Sequence, residues 1–95
     1  PRLVQASRGH SRDMASRNYH AHVNPDGKGP GDRARDAGFL GGGEGENIAM
    51  GHATGKAAFQ GWFSSSGHHR NMLKPDYAVI GVGRSDTHWT MMFGN

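Results

Sequence analysis

Cysteine is absent from the 95 residues. That excludes disulfides, thiolate metal sites and a cysteine nucleophile. Long apolar runs are missing too, and nothing approaches the roughly 20 residues needed to cross a bilayer. No signal-peptide pattern precedes Pro1-Arg2-Leu3, which runs straight into helix-like sequence. The chain therefore reads as intracellular, or as a secreted chain already processed. Glutamate is scarce: the only two, Glu44 and Glu46, sit together in Gly41-Gly42-Gly43-Glu44-Gly45-Glu46-Asn47.

Glycine is abundant instead, with 16 residues beside a hydrophobic content of 34%, where a usual glycine share is about 7%. Such a chain predicts a small core with a large share of ordered loops. Its length suits one domain over residues 1–95, just large enough to fold alone. A monomer is the default expectation.

The net charge is +3, and eight of the eleven basic residues are arginine. They are dispersed, with Arg2, Arg8, Arg12 and Arg17 in a first helix and Arg33 and Arg35 in a second. This predicts a weak attraction to anionic surfaces. Aromatics are not interleaved with them as a single-strand-binding surface requires, so no specific nucleic-acid partner is expected. Seven histidines would take the charge from +3 to +10 on full protonation, making surface behaviour pH-dependent near 6.

Periodicity predicts a helix over 2–19, its stripe formed by Leu3, Ala6, His10 and Met14 and extended by Ala15 and Tyr19. His10 on that stripe reads as a hydrogen-bonded core histidine. Pro25-Asp26-Gly27 is a turn signal, so Tyr19-His20-Ala21-His22-Val23-Asn24 enters it extended. There His20 and His22 point to one side, able to chelate together or to send one ring inward. Pro30 opens a short helix over about 31–37 that Gly38 stops. Thr54 caps a third helix, about 55–65, with Ala58, Phe59, Trp62 and Phe63 on its buried side.

Ser64-Ser65-Ser66-Gly67 breaks that helix, and His68 to Leu73 form one further helical turn ending before Pro75. Tyr77 to Gly83 is β-rich, Arg84 to Thr87 turn the chain, and His88 to Phe93 return as a second strand. Two strands alone are marginal and need helices to cover them. Helices first and strands last predict an α+β domain rather than a parallel sheet.

The groups able to bind metal or move protons are His20, His22, Glu46, His68, His69 and His88. There is no HExxH pattern, no GxSxG elbow and no phosphate-binding glycine fingerprint. Any site must be assembled from distant segments. Taken alone, the Glu46 loop reads as a flexible acidic turn or as a glycine-shaped support that fixes a carboxylate.

Six pieces in order resemble the CAP superfamily (cysteine-rich secretory proteins, antigen 5 and pathogenesis-related 1) in its small bacterial SCP-like form. They are His10-Ser11-Arg12-Asp13-Met14-Ala15; Tyr19-x-x-His22-x-x-Pro25-Asp26-Gly27; and Gly45-Glu46-Asn47-Ile48-Ala49. The rest are Trp62-x-x-Ser65-x-Gly67-His68-x-x-Asn71-Met72-Leu73, Ile80-Gly81-Val82-Gly83 and Trp89-Thr90-x-x-Phe93-Gly94. The resemblance implies a three-layer α-β-α sandwich with a small antiparallel sheet, secretion, and a cleft of two histidines and two glutamates.

By position, His22 matches the first cleft histidine, Glu46 the first glutamate and His88 the last histidine. The second glutamate falls on Ser65, which argues against a four-ligand cleft. His68 either faces the cleft in its place or serves the short helix. The start of the first helix is missing relative to that pattern, as in a truncated chain or a minimal member.

His22, Glu46 and His88, with His68 in addition, are thus the candidate metal ligands for zinc or another divalent cation. Without metal, the same groups form a polar cluster in which Glu46 orients a histidine. The expected function is a secreted, non-enzymatic binding domain for a small lipid, glycan or peptide ligand. The alternative is a metal-dependent hydrolase, a protease or esterase, with Glu46, His22 and His88 as its catalytic set.

Overall fold

In a computed structural model, residues 2–39, 41, 45–51, 53–73 and 79–94 are described. Helix α1 spans Arg2–Arg17 and α2 Pro30–Asp36; strand β1 spans Gly45–Met50. Helices α3 (Gly55–Ser64) and α4 (Ser66–Leu73) follow, then β2 (Val79–Ser85) and β3 (His88–Gly94). The sheet order is β1-β3-β2, with both pairings antiparallel. The third strand is the middle one.

Local chemistry sets most boundaries. Helix α1 stops two residues before its predicted end because Asn18 takes a left-handed φ of 61°, a conformation asparagine tolerates better than most residues. Pro30 occupies the first turn of α2, Asp32 Oδ2 accepts from Gly29 N at 3.0 Å, and Gly38 leaves the helix at φ 87°. Thr54 caps α3 by accepting from Ala57 N at 3.1 Å, as its sequence signal predicts. Asp86, at φ 56°, turns β2 into β3.

Two readings need correction. The glycine-rich stretch is not a loop throughout, because from Gly45 onward it is strand β1, in register with β3 from Gly45↔Phe93 to Met50↔His88. Glycine and glutamate disfavour strands locally, and here pairing with a buried central strand overrides that preference. Gly42, Gly43 and Glu44 lie outside the described residues, as do Tyr77 and Pro75. On α3 the buried face carries Ala58 and Trp62, while Phe59 and Phe63 are exposed. The Trp62 indole donates to Ile48 O at 3.0 Å, which fixes the rotation of the helix.

The sheet separates two apolar clusters. On one face Met92 packs with Leu3, Ala6 and Ala34; on the other Trp89, Met91 and Phe93 pack with Ala49, Ala58 and Trp62. This is the expected α-β-α sandwich. Helix α1 lies so close to β2 that a Cβ at Gly81 or Gly83 would run into the helix backbone. The gap admits only small side chains. Ser7 and Ser11 hydroxyls donate to Gly81 O and Gly83 O at 2.9 and 3.1 Å, and Ser11 also bonds the Thr90 hydroxyl at 2.7 Å.

Candidate functional site

Alternation along β1 sends neighbouring side chains to opposite layers. Glu46 points with Met92 toward α1 and α2, whereas Asn47 points with Met91 toward α4. Asn47 is fully buried; it donates to His68 O at 3.1 Å and accepts from Asn71 Nδ2 at 3.0 Å. Asn47 thus holds α4, and the Ile48 carbonyl holds α3.

Glu46 is 6% exposed and has both oxygens engaged. Oε2 accepts from Arg33 Nη2 at 2.6 Å, and Oε1 lies 2.8 Å from His22 Nδ1. His10 Nε2 lies 3.8 Å from the same Oε1 and bonds Ala21 O at 2.9 Å. The same guanidinium donates through Nη1 to His22 O at 2.8 Å and Lys28 O at 2.9 Å. It thus clasps both the loop carrying His22 and the carboxylate that His22 meets.

His10 is fully buried, as its place on the stripe predicted. Burial holds its pKa below the ordinary histidine value; the Glu46 carboxylate opposes this shift and the Arg33 guanidinium adds to it. Polar contacts continue outward from this point. Tyr19 Oη lies 3.4 Å from His10 Nδ1 and donates to Asp13 Oδ2 at 2.5 Å. Arg17 then joins Asp13 to Asp26. The hydrogen bond from Arg17 is the main cause that lowers the Asp13 pKa, while burial and then Asp13 raise that of Tyr19.

His88 shares the Glu46 face, but the register pairs Glu46 with Met92 and His88 with Met50. Four residues separate them, ~13 Å along the strands. His88 instead lines a cavity of about 250 Å³ with Asn18, Tyr19, His20 and Met50. Its Nδ1 is buried without a hydrogen-bond partner among the described residues. Burial lowers the His20 pKa, and repulsion from His88, His22 and His68 adds to it, so four imidazoles share one region. His68 is half-buried with its carbonyl on Asn47, and His69 sets its ring tilted by 35° against Phe63, the centroids 4.1 Å apart.

The structure thus joins His22 to Glu46 and places His88 beside His20. Among the described residues it brings no three histidine or carboxylate side chains together closely enough to hold a metal ion. Ser65, at the position of the second glutamate, ends α3 as its C-cap. Arg33 is the residue that sequence reasoning missed. No signal within its short helix separates it from Arg35, on the other side of Ala34.

An α-β-α sandwich around a small antiparallel sheet is the fold expected of an SCP-like domain. Comparison with known proteins agrees: the cysteine-rich secretory protein family, CAP, matches residues 1–93, and the chain belongs to that family. It is 37% identical over 93 residues to the uncharacterized protein YkwD of Bacillus subtilis, covering 96% of this chain and 36% of that protein. It is 38% identical over 85 residues to the uncharacterized membrane protein YlbC of the same organism, covering 90% of this chain and 25% of that one. The chain therefore spans about a third or less of these relatives.

Among solved structures, an extracellular SCP-domain protein of Bacillus anthracis superposes with a TM-score of 0.95 at 37% identity, over 99% of this chain and 32% of that one. An outer surface protein of Borrelia burgdorferi shares the fold, with a TM-score of 0.88 at 18% identity over 99% of this chain and 73% of that one. No helix among the described residues is long and apolar enough to cross a membrane.

Proposed function

We propose that this chain is a non-enzymatic binding domain acting outside the cell, whose histidine-rimmed cleft takes a small lipid, glycan or peptide ligand. One observation carries the choice over hydrolysis: Glu46 is buried, with one oxygen on Arg33 and the other on His22. A carboxylate so engaged is a poor general base, because a base must reach the proton it removes. The extracellular SCP domain of similar structure supports the location.

No three such side chains meet among the described residues, so a divalent cation such as zinc would find at most two imidazoles here. Imidazole suits zinc. Hydrogen-bonded through Nδ1 to Glu46, His22 has the pattern of a metal-binding histidine with its outer-shell carboxylate. His88, with a buried ring nitrogen lacking a partner among the described residues, would supply the second imidazole. His68 would be a neighbour of that pair, and Glu46 would stand behind His22 rather than on the metal. When bound, the ion would supply a Lewis-acidic contact for an oxygen of the ligand.

Calorimetric titration of zinc into chelator-treated protein tests the cation contact. The expected result is saturable binding, weakened in both His22→Ala and His88→Ala. Absence of saturation, or identical affinity in the variants, rejects it. A peptide and ester substrate panel with zinc present tests the rest. Turnover that Glu46→Gln abolishes would establish the hydrolase instead.

A further inference from the structure

We infer that Arg33 is a positioning residue: it clamps Glu46 against His22, and the carboxylate, an acceptor only, then decides which His22 nitrogen carries the proton. A guanidinium has donors and no acceptor. Arg33 Nη2 therefore obliges Oε2 of Glu46 to accept, at 2.6 Å. The carboxylate also accepts on Oε1, so His22 Nδ1 at 2.8 Å must hold a proton. Neutral His22 is then the Nδ1–H tautomer, and its Nε2 carries a lone pair.

Exposure shows where that lone pair lies. The Glu46 side chain is 1% exposed and that of His22 51% exposed, so the ring meets the carboxylate on its inner side and leaves Nε2 on the open side. Nε2 makes no hydrogen bond among the described residues. The cleft thus receives an acceptor, suited to a ligand N–H, O–H or cation, rather than a donor.

Arg33 fixes both ends of the arrangement. Through Nη1 it holds His22 O and Lys28 O at 2.8 and 2.9 Å, so the backbone of His22 and the partner of its side chain share one rigid fork. His10 does not compete for this role, since its Nε2 donates to Ala21 O at 2.9 Å and only approaches Oε1 at 3.8 Å.

The inference has a sharp consequence in Glu46→Gln. Arg33 accepts nothing, so it must take the new carboxamide oxygen and turn the amide nitrogen toward His22. The Nδ1 atom of His22 then has to accept, and the proton moves to Nε2.

Imidazole ¹⁵N spectra at pH 8 read the tautomer directly. The unaltered protein is expected to show Nδ1–H at His22. Glu46→Gln is expected to show Nε2–H, with NOEs from the carboxamide protons to the ring proving that the pair remains in contact. Nε2–H in the unaltered protein, Nδ1–H retained in Glu46→Gln, or a ring released without those NOEs each overturns the inference.

Arg33→Met and Arg33→Lys provide a second arm that does not depend on the folding of Glu46→Gln. The ratio of Nδ1–H to Nε2–H at His22 should fall roughly fivefold in Arg33→Met, as expected for weakening one hydrogen bond. It should recover in Arg33→Lys, again a donor without acceptors. An unchanged ratio in Arg33→Met, or no recovery in Arg33→Lys, rejects the assignment.

Discussion

At the scale of single residues, the adjacent pair Glu46 and Asn47 connects the sheet to both helical layers. Glu46 answers Arg33 of α2, and Asn47 answers Asn71 and the His68 carbonyl of α4. Both side chains are buried, so an unpaired partner cannot be rescued fully by water. Asn47→Ala should therefore lower the unfolding free energy by about 1–3 kcal/mol, as measured by urea denaturation. A loss within error of zero would show that the two bonds add nothing beyond their solvated equivalents. Glu46 and His22 stood out in the sequence through the resemblance of their segments to the CAP pattern, since their spacing alone does not join them. Arg33 did not, because nothing in Pro30–Asp36 reveals that its guanidinium turns inward rather than out with Arg35.

Among elements, the seat of α1 on β2 depends on what its residues omit. Gly81 and Gly83 have no Cβ to hold the helix away, and Ser7 and Ser11 are short enough to bond the strand carbonyls beneath. Gly83→Ala should force α1 outward and break the bonds of Ser11 to Gly83 O and Thr90. Overpacking of this kind typically costs about 1–3 kcal/mol, and a thermal melt matching the unaltered protein would contradict the close approach. Helix positions were legible because caps are local chemistry, as Thr54 and Pro30 show. The rotation of α3 was not: Ala58 and Trp62 compete with Phe59 and Phe63 for the same side, and a hydrogen bond to β1 decides between them. The strand character of Gly45–Met50 was hidden for the same reason, because its cause is a partner strand far along the chain, at His88–Gly94.

For the whole molecule, acid sensitivity follows from its histidines. The fully buried His10 has a lowered pKa, so between that value and the ordinary one near 6.5 the unfolded chain binds a proton that the folded chain refuses. Stability from this source is complete above pH 6.5 and is lost as pH falls toward and through the lowered value. His20 acts in the same direction, more weakly for its exposure. Asp13, Asp26 and Asp32 also have lowered values, but their contribution disappears only as pH drops below about 4. Unfolding free energy should thus be level from about pH 8 to 7 and decline as pH falls below about 6.5. His10→Gln should flatten that decline, and an unaltered slope would place its origin elsewhere.

The position of β3 also governs when this domain can come into being. It follows the other two described strands in the chain and is the one paired with both, and Ser7 bonds a carbonyl 74 residues away. On a ribosome, α1 to β2 can emerge without any template on which to form this sheet. Assembly waits for the segment from His88 to Gly94, and loops this long make folding slow compared with a helical bundle of equal size. Such a chain remains threadable until that strand is released, and then closes around both layers at once.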